Sequence, residues 1–221
     1  MSGGQEVSVR PDLGSEVNEK LLKLNDSVWE AVADCEDKIG SQHPNIPDYV
    51  PAKEMVSESR FSKDFLVLHQ LGRALELAKA GPFYPLVQMF EEICPYLQWS
   101  QNPNYTEANC DRSFLDGYAY AAFSGPQGPI HLDAPRGGFM LMGPNVFYRD
   151  HHHEPEEVYL VLTPGAQWRL DQGEWFDVAA GDLILHKKWQ MHAIRTGTEP
   201  LLAFAGWTEV GSRLGIDFSK R

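Results

Sequence analysis

The chain has 221 residues, of which 43% are hydrophobic and 23% charged, with a formal net charge of −12. That balance describes a globular protein of one or two domains, long enough to bury a sizeable core. The acidic excess disfavours nucleic acid or an anionic membrane as partner, because phosphate binding needs clustered Lys and Arg, and no apolar run approaches the roughly 18 residues of a spanning helix.

The start, Met1-Ser2-Gly3-Gly4-Gln5-Glu6, has neither a basic nor an apolar region, so no secretory signal is expected. Val17, Leu21, Leu24, Val28, Val32, Cys35 and Ile39 recur at three-four spacing, which predicts one amphipathic helix over 15–39. Ser15 is its candidate N-cap and Gly40 its stop. A loop carrying Pro44, Pro47 and Pro51 follows. A second helix is expected over 61–80, with Phe65, Leu68, Leu71, Leu75 and Ala78 inward and Gly81-Pro82 ending it. A shorter third is expected over 85–93. The stretch 101–111 is polar and loop-like. We place the domain boundary there, giving a helical extension over 1–112 and a β domain over 113–221.

From Ser113 the texture changes to short strands separated by Gly, Pro and Asp. Candidates are 117–123, 138–142, 157–163, 167–170, 175–178, 182–185, 192–195 and 201–207. Many short strands at regular spacing predict a barrel or jelly-roll sandwich, and small barrels can enclose one small ligand. The fold class is therefore mainly β with a helical N-terminal extension (α+β), the helices packing on the barrel; pairing with a second subunit as a homodimer is the alternative use of their stripes. Cys35, Cys94 and Cys110 are odd in number and contain no Cys-x-x-Cys pair, so buried free thiols in a reducing cytoplasm are expected.

The chemistry concentrates between Tyr148 and His192. In Tyr148-Arg149-Asp150-His151-His152-His153-Glu154-Pro155-Glu156-Glu157-Val158-Tyr159, residues His151 and His153 are two apart, which on an extended strand puts both imidazoles on one face. Glu157 and Tyr159 share a strand face, with Val158 and Leu160 opposite. The stretch from Gly181 to His192 adds a Gly-Asp turn, an apolar strand and a further histidine. Three imidazoles and a carboxylate, His151, His153, His192 and Glu157, suit one divalent transition metal. Zinc, manganese, iron, nickel and cobalt all tolerate such a set. A solvated His-rich loop is the plainer reading of the first half alone, and the second half disfavours it. His152 points away from its neighbours on a regular strand, and His131 and His186 are left outside the set.

The pattern Gly143…His151-x-His153-x3-Glu157…Gly165 resembles the first cupin motif, and the stretch from Gly181 to His192 the second. Lys187 and Trp189 stand where many cupins have proline and glycine, and Thr196 where an asparagine is frequent; these departures touch turn shape and not the ligands. Tyr148 upstream, His-x-His, and then Glu157-x-Tyr159 behind a helical extension resemble the cupin-type dimethylsulfoniopropionate (DMSP) lyases, most closely the DddL-like group with the DddQ-like group as near neighbour. The resemblance implies a small zwitterionic substrate and β-elimination to dimethyl sulfide and acrylate. It implies Tyr159 as the base that removes the proton beside the carboxylate, with Tyr148 as second candidate. A dimethylsulfonium cannot donate a conventional hydrogen bond, so aromatic faces should hold it. Trp189, Trp207 and Tyr120 are the leading candidates, with Tyr118, Trp168 and Phe204 also in play and Lys187, Lys188 or Arg149 for the carboxylate. The same ligands would also suit an iron-dependent cupin dioxygenase, or a non-catalytic cupin that binds a small metabolite.

Overall fold

The computed structural model describes residues 14–39, 64–125, 127–130 and 135–207, residues 36–39 by their backbone alone. Helix α1 runs Ser15–Ile39, the span its apolar stripe predicts. Leu21, Leu24, Val28, Val32 and Cys35 are all buried, while Gly40, Ile39's side chain, the proline-rich loop and His131 lie outside the described residues. The second expected helix divides into a 3₁₀ turn, Leu66–Gln70, and α2, Leu71–Lys79. A 3₁₀ turn takes three residues, not 3.6, and so rotates the apolar face. Val67, Ala74, Leu75 and Ala78 are consequently the buried residues, and Phe65, Leu68 and Leu71 are only partly covered. Helix α3, Tyr84–Ile93, starts with proline in its first turn, where the missing N–H costs no helical bond.

Strand β1, Trp99–Ser100, and the short helix α4, Arg112–Asp116, precede the main run of strands. These are β2 (Tyr118–Ser124), β3 (Arg136–Met142), β4 (Phe147–His151), β5 (Glu157–Val161), β6 (Ala166–Leu170), β7 (Phe176–Asp177), β8 (Leu183–His186), β9 (His192–Thr196) and β10 (Leu201–Trp207). They form a six-stranded sheet, β1-β2-β3-β10-β5-β8, and a four-stranded sheet, β4-β9-β6-β7, with antiparallel pairing throughout. Strand β1 lies before residue 112 yet pairs with β2, through Trp99 opposite Ala121.

Side-chain alternation sorts the six-stranded sheet into two cores. Phe139, Leu141, Val158, Leu160, Leu202 and Phe204 face the helices, where Trp29 of α1 meets Phe204 edge-on at 5.2 Å and Phe90 of α3 stacks on Phe139 at 3.9 Å. Met140, Met142, Tyr159, Val161, Ala203 and Ala205 face the other way, into the space between the sheets, with Trp168 and Ile194 from the smaller sheet. Covered on both faces, β3 and β10 are apolar at nearly every position, as a strand between two cores must be. The helices thus close one side of a two-sheet β-barrel. The interior of that barrel holds the polar residues of interest.

Candidate functional site

Two sheets and one loop deliver the site. On β5, Glu157 and Tyr159 point inward as their spacing requires, Glu157 lying opposite His186 of β8 and opposite Trp207 of β10. On the facing sheet His151 pairs directly with His192 across β4 and β9. Strand β4 ends at His151, so His153 sits in the following turn rather than on the same strand. It still enters the barrel: ligand atoms of His153, Glu157 and His192 lie within 4.8 Å of one another, all three residues buried.

His151 stands just outside that compact group. The register slips between Tyr148 and His151, and the His151 ring stacks flat on Tyr148 at 3.9 Å. It lies 4.1 Å from the His192 ring and 6.4 Å from that of His153.

The hydrogen bonds assign the imidazole protons. A carbonyl oxygen only accepts, so a ring nitrogen beside one must carry the hydrogen. Nδ1 of His151 donates to Arg149 O (2.8 Å), Nδ1 of His153 to Pro155 O (2.9 Å) and Nδ1 of His192 to Gln190 O (2.8 Å). In neutral rings this leaves each Nε2 with its lone pair, the arrangement that presents histidine to a metal. The buried Nε2 of His192 has no hydrogen-bond partner among the described residues and lies 3.6 Å from Glu157 Oε2. Nε2 of His153 is 3.1 Å from the same oxygen. Lone pairs facing one another at that distance need a positive charge between them, a proton or a metal cation. Two nitrogens and one carboxylate oxygen fit a divalent transition metal.

Electrostatics agree. Burial by itself raises the Glu157 carboxyl, but His153 and His186 beside it outweigh burial and hold it down to about 2. Burial pulls His151 down to about 3 and drives His192 well below the ordinary imidazole value. His153 moves up, since Glu157 outweighs its burial.

Above this group lies a cavity of about 190 Å³ whose walls include Tyr105, Tyr118, Tyr120, Tyr148, Tyr159, Met140 and Trp207, with His151, His153 and Glu157 among its lining. Burial raises all five phenols above the ordinary value, so without a nearby cation each keeps its proton. Tyr120 approaches the sheet where Gly138 leaves room: a Cβ there would lie 2.4 Å from Ala121 O and 2.5 Å from the Tyr120 ring. Its hydroxyl donates to Ala205 O (3.3 Å), and its ring meets Trp207 edge-on at 5.7 Å. The buried indole nitrogen of Trp207 has no partner among the described residues.

The remaining expected residues divide. Tyr118, Tyr120 and Trp207 line the cavity, whereas Trp189 and Lys187 do not. Both stand on the turn after β8, where Trp189 takes φ of 60° and is 51% exposed. Lys188 is exposed on the same turn, Arg149 reaches Asn109 O outside the cavity, and Phe204 belongs to the helix-side core. Two further residues belong here, Tyr105, which the sequence analysis did not single out, and His186, which it left outside the ligand set. Tyr105 arrives from the polar loop before the barrel, and only its aromatic character within a hydrophilic stretch marked it. His186 contacts Glu157 directly, its Nδ1 3.0 Å from Oε2. Its position opposite Glu157 is set by the pairing of β5 with β8, which the sequence does not display.

Residues 51–203 match the family model described as dimethylsulfoniopropionate lyase. The DMSP lyase DddQ of Ruegeria pomeroyi is 26% identical over 103 residues, 47% of this chain and 51% of that protein, so the chain spans about half of the curated relative it matches. The solved structure of DddQ from the same organism superposes with a TM-score of 0.63 at 17% identity, covering 92% of this chain and 95% of that one. A chain from the crystal structures of the DMSP lyases RdDddP and RnDddQII gives 0.68 at 22% identity, covering 92% and 100%. Two of these relatives are named DddQ and the third comes from a pair named DddP and DddQ, and the structural likenesses establish a shared fold.

Proposed function

The chain belongs to the dimethylsulfoniopropionate lyase family, and from that premise we propose that it is a carbon–sulfur lyase cleaving DMSP by β-elimination to dimethyl sulfide and acrylate. One observation carries this reading. Glu157, of the candidate metal group, and Tyr159, the candidate base, project from one strand face into the same cavity.

His153, Glu157 and His192 would hold one divalent ion (zinc, manganese, iron, nickel or cobalt), with His151 as a fourth ligand. When bound, that ion supplies Lewis acidity toward the substrate carboxylate and favours the anionic form of a neighbouring phenol. Tyr159 then accepts the proton from the carbon beside the carboxylate. The electron pair left on that carbon forms the new C=C bond as the C–S bond breaks, and dimethyl sulfide leaves with the pair it held. Sulfonium is already a good leaving group, so the site needs no strong acid there. Tyr148 lines the same wall and orients substrate. Trp207, Tyr120 and Tyr118 line the cavity with aromatic rings, which suit a cationic sulfonium. The three cysteines are buried free thiols, which suits a reducing compartment, and we place the protein in the cytoplasm. No described helix is long and apolar enough to cross a membrane.

Headspace gas analysis of the purified, metal-loaded protein with DMSP, with and without oxygen, tests the reading. A lyase releases dimethyl sulfide equally in both atmospheres. Oxygen consumption without dimethyl sulfide would instead establish a dioxygenase, and binding without turnover a metabolite-binding cupin.

A further inference from the structure

His186 carries its proton on Nδ1 as the three histidines around it do, but its Nε2 lone pair is taken by an indole N–H and its Nδ1–H faces a carboxylate instead of a backbone carbonyl. The indole N–H of Trp168 can only donate, and it lies 3.2 Å from His186 Nε2, which must therefore accept. The ring proton is left on Nδ1, and that N–H points at Glu157 Oε2, 3.0 Å away. Trp168, His186 and Glu157 are no more than 2% exposed, so no water competes for these bonds. Trp168 belongs to the four-stranded sheet and His186 to the six-stranded one, so the chain of bonds crosses the barrel interior. The His186 ring also stacks on His192 at 3.7 Å.

We infer that Trp168 and His186 act as positioning residues that brace Glu157 Oε2 for cation binding, with His186 locked as the neutral Nδ1–H tautomer. This rests on the metal reading of the site. A carboxylate oxygen has two lone-pair directions, and His186 takes one of them. The other is left toward the Nε2 atoms of His153 and His192, at 3.1 and 3.6 Å. With both of its nitrogens engaged, His186 has no lone pair to offer a metal, which makes it a brace and not a ligand. Bonds of this kind fix ligand orientation, and losing one typically weakens metal binding about 10–100-fold.

The test measures Zn²⁺ affinity by competition with a chromophoric chelator, together with the visible absorption of the Co²⁺-loaded protein. His186→Leu should weaken Zn²⁺ binding about 10–100-fold and alter the Co²⁺ bands. Trp168→Phe keeps an aromatic ring against Tyr159 but removes the N–H, and should shift both readouts in the same direction by less. His186→Asn keeps an N–H close to the Nδ1 position and should recover most of the loss. In the unsubstituted protein, ¹⁵N NMR should find the His186 proton on Nδ1. A proton on Nε2, an Asn variant as weak as the Leu variant, or wild-type affinity and spectrum in Trp168→Phe would each overturn the brace. The last outcome decides the matter even if His186→Leu fails to fold. Wild-type protein that binds neither ion overturns the metal reading itself, a result distinct from unaffected variants of a metal-binding parent.

Discussion

Tyr105 and Tyr148 meet hydroxyl to hydroxyl in the cavity wall, although 43 positions separate them in the chain. Tyr105 is held edge-on against Phe114 at 5.2 Å and Tyr118 at 5.6 Å, so the loop that carries it becomes part of the barrel interior. Tyr105→Phe should keep the fold, lose about 1 kcal/mol in denaturant unfolding and raise KM for DMSP by freeing the Tyr148 hydroxyl. Unchanged stability and KM would show that the contact contributes nothing.

Metal content should depend on the compact ligand group. His153→Ala and His192→Ala, analysed for bound metal after purification, should each lose most of it. Full occupancy in both variants would sink the assignment of the site.

Tyr159→Phe should retain both fold and metal, because the ring still packs against Trp168 at 5.3 Å. Its turnover should drop roughly 10²–10⁴-fold, the usual worth of a positioned base. Tyr148→Phe should lose less. Near-normal turnover in the Tyr159 variant, at normal metal content, would pass the role to Tyr148.

A neutral isostere of DMSP with carbon in place of sulfur should bind at least about tenfold more weakly than the cationic analogue, since each cation–π contact contributes on the order of 0.5–2 kcal/mol. Trp207→Leu should erase much of that difference. Equal inhibition by both analogues of the unsubstituted enzyme would leave the aromatic wall without a role in recognising charge.

Acid should destabilise the metal-free protein. His151 is held at about 3 in the fold, and His186 and His192 are also depressed by burial. Unfolded histidine takes its proton near pH 6.5, so between that pH and the folded values the unfolded chain binds more protons, and stability falls as the pH is lowered. Glu157, held to about 2 against roughly 4.3 when unfolded, adds a loss in the same direction below pH 5. His153, with its raised value, opposes but is one against three. Thermal midpoints of chelated protein should therefore decline from pH 7 toward pH 4, and a flat or rising profile would contradict these shifts.

Local periodicity was enough for much of this molecule. An apolar stripe repeated over seven turns can form only one buried face, so α1 was legible from Ser15 to Ile39. Two-residue alternation put Glu157 and Tyr159 on one side of β5 and Val158 and Leu160 on the other, because a strand has no third option. The motif spacing proposed His151, His153, Glu157 and His192 as one set, and the fold brings ligand atoms of three of them, His153, Glu157 and His192, within 4.8 Å of one another. Other features depended on contacts between segments distant in sequence. Strand β4, polar through Arg149 and Asp150, shows no alternation of its own and exists through pairing with β9. The direction of the turn after β8 sends Trp189 and Lys187 outward, which their composition does not encode. Tyr105 enters the cavity, and Trp168 reaches His186, only because the barrel closes. A residue's face on a strand is set by its immediate neighbours, whereas its hydrogen-bond partner across a core is set by how the sheets fold over one another.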